Sequence, residues 1–130
     1  MADHQGHEGI ETLARAVVDS GLKVHRALGP GLLESAYEHC LAHELHAGGI
    51  SLRRQVIQPI VYGDTKLDAG YCLDILVEDS IVIEIKAVEA LSPVHEAQLL
   101  TYLKLSGCRL GFLINFNTVL FKHGLRRFML

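Results

Sequence analysis

Asp74, Glu84 and Lys86 are the residues of this chain whose types and spacing could do chemistry. Each lies in a run that is otherwise largely apolar. Asp74 stands within Tyr71-Cys72-Leu73-Asp74-Ile75-Leu76-Val77, and Glu84 and Lys86 end Ile81-Val82-Ile83-Glu84-Ile85-Lys86. Ionised groups are expensive in an apolar setting unless they are paired or bind a metal. Both runs have the β-branched composition and length of strands, and alternation puts Val82, Glu84 and Lys86 on one side. Glu78-Asp79 supplies a turn between them. If the strands pair through that turn, Asp74 and Glu84 come from neighbouring strands, where directly opposed side chains sit about 5 Å apart. Carboxylates that close repel unless a cation lies between them. Oxygen-only ligands select a hard ion, so Mg²⁺ or Mn²⁺ is expected rather than Zn²⁺. The plainer alternative is an exposed Glu84–Lys86 pair at a strand end with Asp74 opening a turn. It explains each residue singly and leaves their combination unexplained.

The elements that must position these residues are legible from periodicity. Ile10, Leu13, Ala14, Val17, Val18, Leu22 and Ala27 recur at helical spacing until Gly29-Pro30-Gly31 breaks the pattern. Leu32, Leu33, Ala36, Cys40, Leu41 and Leu45 form a second helical stripe, closed by Gly48-Gly49. Residues 51–62 and 67–77 read as two antiparallel strands joined at Gly63-Asp64, and residues 81–85 as a central strand. Ser92-Pro93 starts a helix that Ala97, Leu99, Leu100, Leu103 and Leu105 carry to Gly107. Residues 109–115 are a further strand, and residues 119–127 supply one or two more. The fold class is α/β with one sheet, predicted as a single domain over residues 1–130 with a flexible tail at 1–8.

The pattern Asp74, then Glu84-Ile85-Lys86, resembles the D…(D/E)-x-K signature of the PD-(D/E)XK nuclease superfamily. Gly31-Leu32-Leu33-Glu34-Ser35-Ala36-Tyr37 matches the G-x-x-E-x-x-Y motif of the GxxExxY protein family within it, and Val24 to Pro30 looks like that family's lead-in. The stretch Val94 to Leu103 resembles the Q-x-x-x-Y element of RecB-like nucleases, with Gln98 and Tyr102 at its fixed positions, and Gly111 to Phe116 resembles their closing strand. Leu73 stands where the signature has proline, a position with no assigned chemistry. The implied fold is a restriction-endonuclease-like core, one mixed central sheet flanked by helices.

The resemblance implies metal-dependent hydrolysis of phosphodiester bonds in a nucleic acid, DNA ahead of RNA. Asp74 and Glu84 would be metal ligands, with the backbone carbonyl of Ile85 completing one side. Lys86 would hold or help deprotonate the attacking water and offset charge developing on the phosphorane. Glu34 would add a carboxylate from the second helix; by position alone it is equally a first-turn acid favoured by the macrodipole. Glu34 and Tyr37, three apart, are expected on one side of that helix. Gln98 and Tyr102, four apart, stack on one helix face and could orient Lys86 or contact a phosphate, although a surface pair has the same spacing. His95 is a neighbour on nearly that face. A rival from another class keeps the fold as a catalytically silent binding or assembly module.

Twelve Lys and Arg against fifteen Asp and Glu give a net charge of −3, which weighs against a non-specific nucleic-acid coat protein. A bound dication reverses the local field, so a nuclease is not excluded. Cys40, Cys72 and Cys108 are odd in number and sit among apolar residues, as free thiols do in a reducing cytoplasm. No apolar run reaches the ~18 residues of a membrane span, so no membrane partner is expected. His39, His43 and His46 read as a solvated face, and Arg53, Arg54, Lys104, Arg109, Lys122, Arg126 and Arg127 mostly as scattered surface charge. A homodimer that completes a substrate groove is compatible with so small a domain.

Overall fold

The computed structural model describes residues 9–68 and 70–130 in full; the expectation of a tail over residues 1–8 falls outside them. Eleven elements follow in chain order: α1 (Ala2–Leu28), α2 (Glu34–Ala47), β1 (Leu52–Ile57), β2 (Ile60–Tyr62), β3 (Thr65–Leu67), β4 (Cys72–Val77), β5 (Ile81–Lys86), α3 (Pro93–Ser106), β6 (Leu110–Asn115), α4 (Phe121–Gly124) and β7 (Leu125–Met129). A five-stranded sheet has the order β1-β4-β5-β6-β7, and β2 with β3 forms a separate ribbon. β5 and β6 are parallel while the other neighbours in the large sheet are antiparallel. The chain is therefore α/β, with a mixed central sheet flanked by helices.

The sheet has two buried faces. Ile75, Val77, Ile81, Ile83, Ile85, Phe112 and Ile114 pack under α1 and α2, against Val17, Val24, Tyr37, Leu41 and Leu45. Leu76, Val82 and Leu113 face α3, against Leu99, Tyr102 and Leu103. Burial on both faces explains why β5 and β6 are apolar on both sides rather than alternating, except at Glu84 and Lys86 toward the end of β5 and Asn115 at the end of β6. Gly111 is the close approach on the second face. A methyl group there would meet Leu99 Cδ1 at 3.0 Å and Leu103 Cδ2 at 3.1 Å.

Two predicted strands are broken. Residues 51–62 divide at Gln58-Pro59, and the single strand predicted over residues 67–77 is replaced by the end of β3 and by β4, which begins at Cys72. Proline has no N–H for a sheet ladder, which ends β1 and lets β2 and β3 leave the main sheet. Residues 119–127 hold the single turn of α4 before β7, where only strands were predicted. The turn at Glu78-Asp79 is as expected. Both residues have φ near +53°, and the Ser80 N–H donates to the Val77 carbonyl at 2.9 Å, the backbone of a tight hairpin turn. Among the described residues no helix is long and apolar enough to cross a membrane, and the three cysteines are free.

The Gly29-Pro30-Gly31 loop owes its shape to Tyr37. The Tyr37 hydroxyl donates to the Gly29 carbonyl at 2.5 Å and accepts from the Leu32 N–H at 3.1 Å. Gly29 and Gly31 hold φ of +68° and +102°, conformations costly for a residue with a Cβ. The Tyr37 ring stacks on Phe116 at 4.6 Å, and the Phe116 N–H donates to the Lys86 carbonyl at 3.0 Å. The tyrosine of the G-x-x-E-x-x-Y motif thus ties the loop between the helices to the end of β5.

Candidate active site

β4 and β5 bring two carboxylates face to face. Their antiparallel register runs Val77↔Ile81, Leu76↔Val82 and Ile75↔Ile83, and one more step sets Asp74 opposite Glu84. There the side chains replace the backbone ladder. The Asp74 N–H donates to Glu84 Oε1 at 3.3 Å, and the Ile85 N–H donates to Asp74 Oδ2 at 2.8 Å. Glu84 is 4% exposed. Burial, then the charge of Asp74 and a hydrogen bond with its side chain, pushes the Glu84 carboxyl up to about 9, against a smaller opposing effect of Lys86. Two acids that meet out of water share a proton unless a cation replaces it.

Lys86, half-buried at the end of β5, makes no ion pair among the described residues. Its charge is felt at Glu84 without a direct bridge. The segment after it is fixed by Asn115, which is buried. The Asn115 side chain accepts from the Val88 N–H at 3.1 Å and donates to the Val88 carbonyl at 2.9 Å. Ile85 points into the α1/α2 core and its N–H is taken by Asp74. A ligand role for this residue therefore rests on its carbonyl.

From α3, Gln98 Nε2 donates to the Tyr102 hydroxyl oxygen at 3.1 Å. Burial raises the Tyr102 phenol, and the charges of Glu84 and Asp74 raise it further. Tyr102 thus faces the carboxylate pair, with Gln98 attached to it. His95 instead caps its own helix: its Nδ1 accepts from the Ser92 N–H at 3.1 Å.

Glu34 and Tyr37 do not share surroundings, although their spacing predicts one side of α2. Tyr37 is fully buried, whereas Glu34 is exposed in a shallow surface pocket with Leu32, Leu33, Ser35 and Ala87. Ala87 follows Lys86, so Glu34 lies at the same sheet end, with no hydrogen bond to Asp74 or Glu84. The carboxylate that α2 does send inward is Glu38, buried at 7% exposure. It accepts from Arg54 Nε at 3.0 Å and from Gln55 Nε2 at 2.7 Å. Glu38 stands three before Leu41 and seven before Leu45, on the stripe that packs into the core, which is the sequence signal for it. His39, next along α2, has its Nδ1 3.3 Å from Arg54 Nη1.

The profile of the PD-(D/E)XK nuclease superfamily matches residues 11–128. The chain belongs to the PD-(D/E)XK nuclease superfamily. Comparison with curated proteins gave no match, and comparison with solved structures gave none. The five-stranded mixed sheet between α1/α2 and α3 is consistent with the restriction-endonuclease-like core of that superfamily. Members of the PD-(D/E)XK superfamily are usually nucleases that use divalent metal. Among the described residues no cluster of three or more His, Cys, Asp or Glu side chains is gathered to hold an ion. The Asp74–Glu84 donor set still fits a hard dication, since Mg²⁺ is commonly held by one or two carboxylates and keeps several waters.

Proposed function

We propose that this chain is a Mg²⁺- or Mn²⁺-dependent nuclease of the GxxExxY, RecB-like type, hydrolysing phosphodiester bonds of DNA ahead of RNA as a single cytoplasmic domain. The observation that carries the reading is the Asp74–Glu84 pair, opposed across two strands with Glu84 buried and Asp74 half-buried, and the Lys86 ammonium near it with no ion pair among the described residues. A dication bound there supplies Lewis-acid polarisation of the phosphate and a more acidic water.

The protein's own groups do the rest. Asp74 and Glu84 would hold the cation, assisted by the Ile85 carbonyl and by Glu34. Asp74 is fixed by the Ile85 N–H, so the ligand does not have to be ordered during the reaction. Lys86, half-desolvated and without a salt bridge among the described residues, would hold the attacking water as an ammonium that offsets charge developing on the phosphorus oxygens, or take the water's proton as the neutral amine. Tyr102, near enough to the carboxylates for their charge to reach its phenol, and Gln98 bonded to it orient the phosphate or Lys86. Tyr102→Phe removes the oxygen that Gln98 holds, and is expected to lower kcat about 10-fold in steady-state cleavage assays, with thermal stability little changed.

Purified protein is expected to cut single- or double-stranded DNA, or RNA, with Mn²⁺ or Mg²⁺, and to stop in excess EDTA. Absence of cleavage of all these substrates, with Mn²⁺ demonstrably bound, would replace this reading with that of a silent binding or assembly module.

A further inference from the structure

β1 and β4 change faces together at one pair of residues. In a regular strand, residues two or four apart share a side. Leu52 nevertheless packs into the α1/α2 core while Val56 packs into the α3 core. On β4, Ile75 and Val77 belong to the first core and Leu73 to the second. The paired residues run Arg54↔Ile75 and then Val56↔Leu73, so both switches fall at Gln55 opposite Asp74. Gln55 is the residue that turns the strand, with φ of +50°.

A left-handed backbone is costly for a residue with a Cβ, and such outliers persist where surrounding contacts over-determine them. The contacts at Gln55 are specific. Its Nε2 donates to Glu38 Oε1 at 2.7 Å and to Asp74 Oδ1 at 3.3 Å. A side-chain amide has two N–H donors, and here each goes to a different carboxylate. Glu38 is in turn held on its other oxygen by Arg54, with Nε at 3.0 Å and Nη2 at 2.9 Å. Asp74 is therefore fixed on both oxygens, by the Ile85 N–H on one and the Gln55 amide on the other.

We propose that Gln55 is a positioning residue for the cation site, setting the rotation of the Asp74 carboxylate by tying it to buried Glu38 and the Arg54 that pairs with it. The claim rests on the metal-ion reading given above. Outer contacts that orient a ligand typically change metal affinity 10- to 100-fold when removed. The left-handed backbone aims the Gln55 amide at Asp74 and takes the end of β4 out of the regular pleat, so that the Asp74 side chain can enter the ladder with Ile85. Glu38 serves as the anchor and Gln55 as the link.

Two variants separate the amide from the backbone. Gln55→Gly accepts the positive φ without cost and deletes the amide; Gln55→Met keeps side-chain length and the backbone cost and deletes only the donors. Mn²⁺ uptake by the full chain is measured from the electron paramagnetic resonance signal of free Mn²⁺, alongside thermal melts. Both variants are expected to fold and to bind Mn²⁺ at least ~10-fold more weakly than wild type. If either folded variant binds Mn²⁺ as tightly as wild type, the amide does no positioning and the inference is overturned. If wild type itself takes up no Mn²⁺, the metal reading fails and this inference with it, a result distinguishable from a wild-type-like variant.

Discussion

Alanine at Asp74 and alanine at Lys86 are both expected to slow cleavage severely, but only the first should also weaken metal uptake. Asp74→Ala removes one of two opposed carboxylates and the acceptor of the Ile85 N–H. Its cleavage rate is expected to fall at least ~10³-fold, together with the Mn²⁺ affinity. Lys86 makes no ion pair among the described residues, so its loss leaves no buried charge without a partner. Lys86→Ala is therefore expected to fold normally and to bind Mn²⁺ at least as tightly as wild type, because one positive charge near the carboxylates is gone. Its kcat should nevertheless fall about 10²- to 10⁴-fold, the usual contribution of a positioned general base or acid. Single-turnover cleavage beside a Mn²⁺ titration of each variant checks both halves. A Lys86→Ala protein that loses metal and activity together would make the lysine a structural partner of Glu84 instead.

The second large effect is on stability and comes from Glu84. Its carboxyl is pushed up to about 9 from 4.5, mainly by burial and then by Asp74. Between those values the metal-free folded protein holds a proton on Glu84 that the unfolded chain has lost. Stability from this group is complete below the unfolded value and is lost as pH rises through about 9. The slope approaches ~1.4 kcal/mol per pH unit while folded and unfolded forms differ by one proton. In EDTA, wild type is expected to melt progressively lower from pH 5 to pH 9. Glu84→Gln, neutral at every pH and similar in shape, should flatten that slope and melt higher than wild type at pH 8. Saturating Mn²⁺ should reverse the order, since the cation stabilises only the protein that holds it. Parallel slopes for the two proteins in EDTA would contradict the burial of a protonated Glu84.

The uneven legibility of the sequence has physical causes. Asp74, Glu84 and Lys86 stand out because charges inside β-branched runs are costly, and the turn at Glu78-Asp79 sets the register that opposes the first two. Gln98 and Tyr102 were legible from helical spacing, and Tyr102 faces that pair. Glu34 was ambiguous because a first-turn acid needs no ligand to explain it, and it is exposed. Glu38 carried a signal, an acid on an apolar stripe, that the motif four residues earlier overshadowed. Gln55 carried none: a glutamine at positive φ is dictated by partners brought from α2 and β4, which no local pattern encodes. The breaks in the long strands followed Pro59, and α4 reflects tertiary packing of Phe121 against Phe116 and His25 rather than a helical sequence of its own.

The most direct measurement is calorimetric titration of wild type and Glu84→Ala with Mn²⁺ at pH 7, in buffers of different ionisation enthalpy. Wild type should take up Mn²⁺ and release a proton as it does so, because the ion displaces the one on Glu84, and Glu84→Ala should show neither. Wild-type protein that shows no heat of Mn²⁺ binding, or binding that survives unchanged in Glu84→Ala, would contradict a cation held between the two strands.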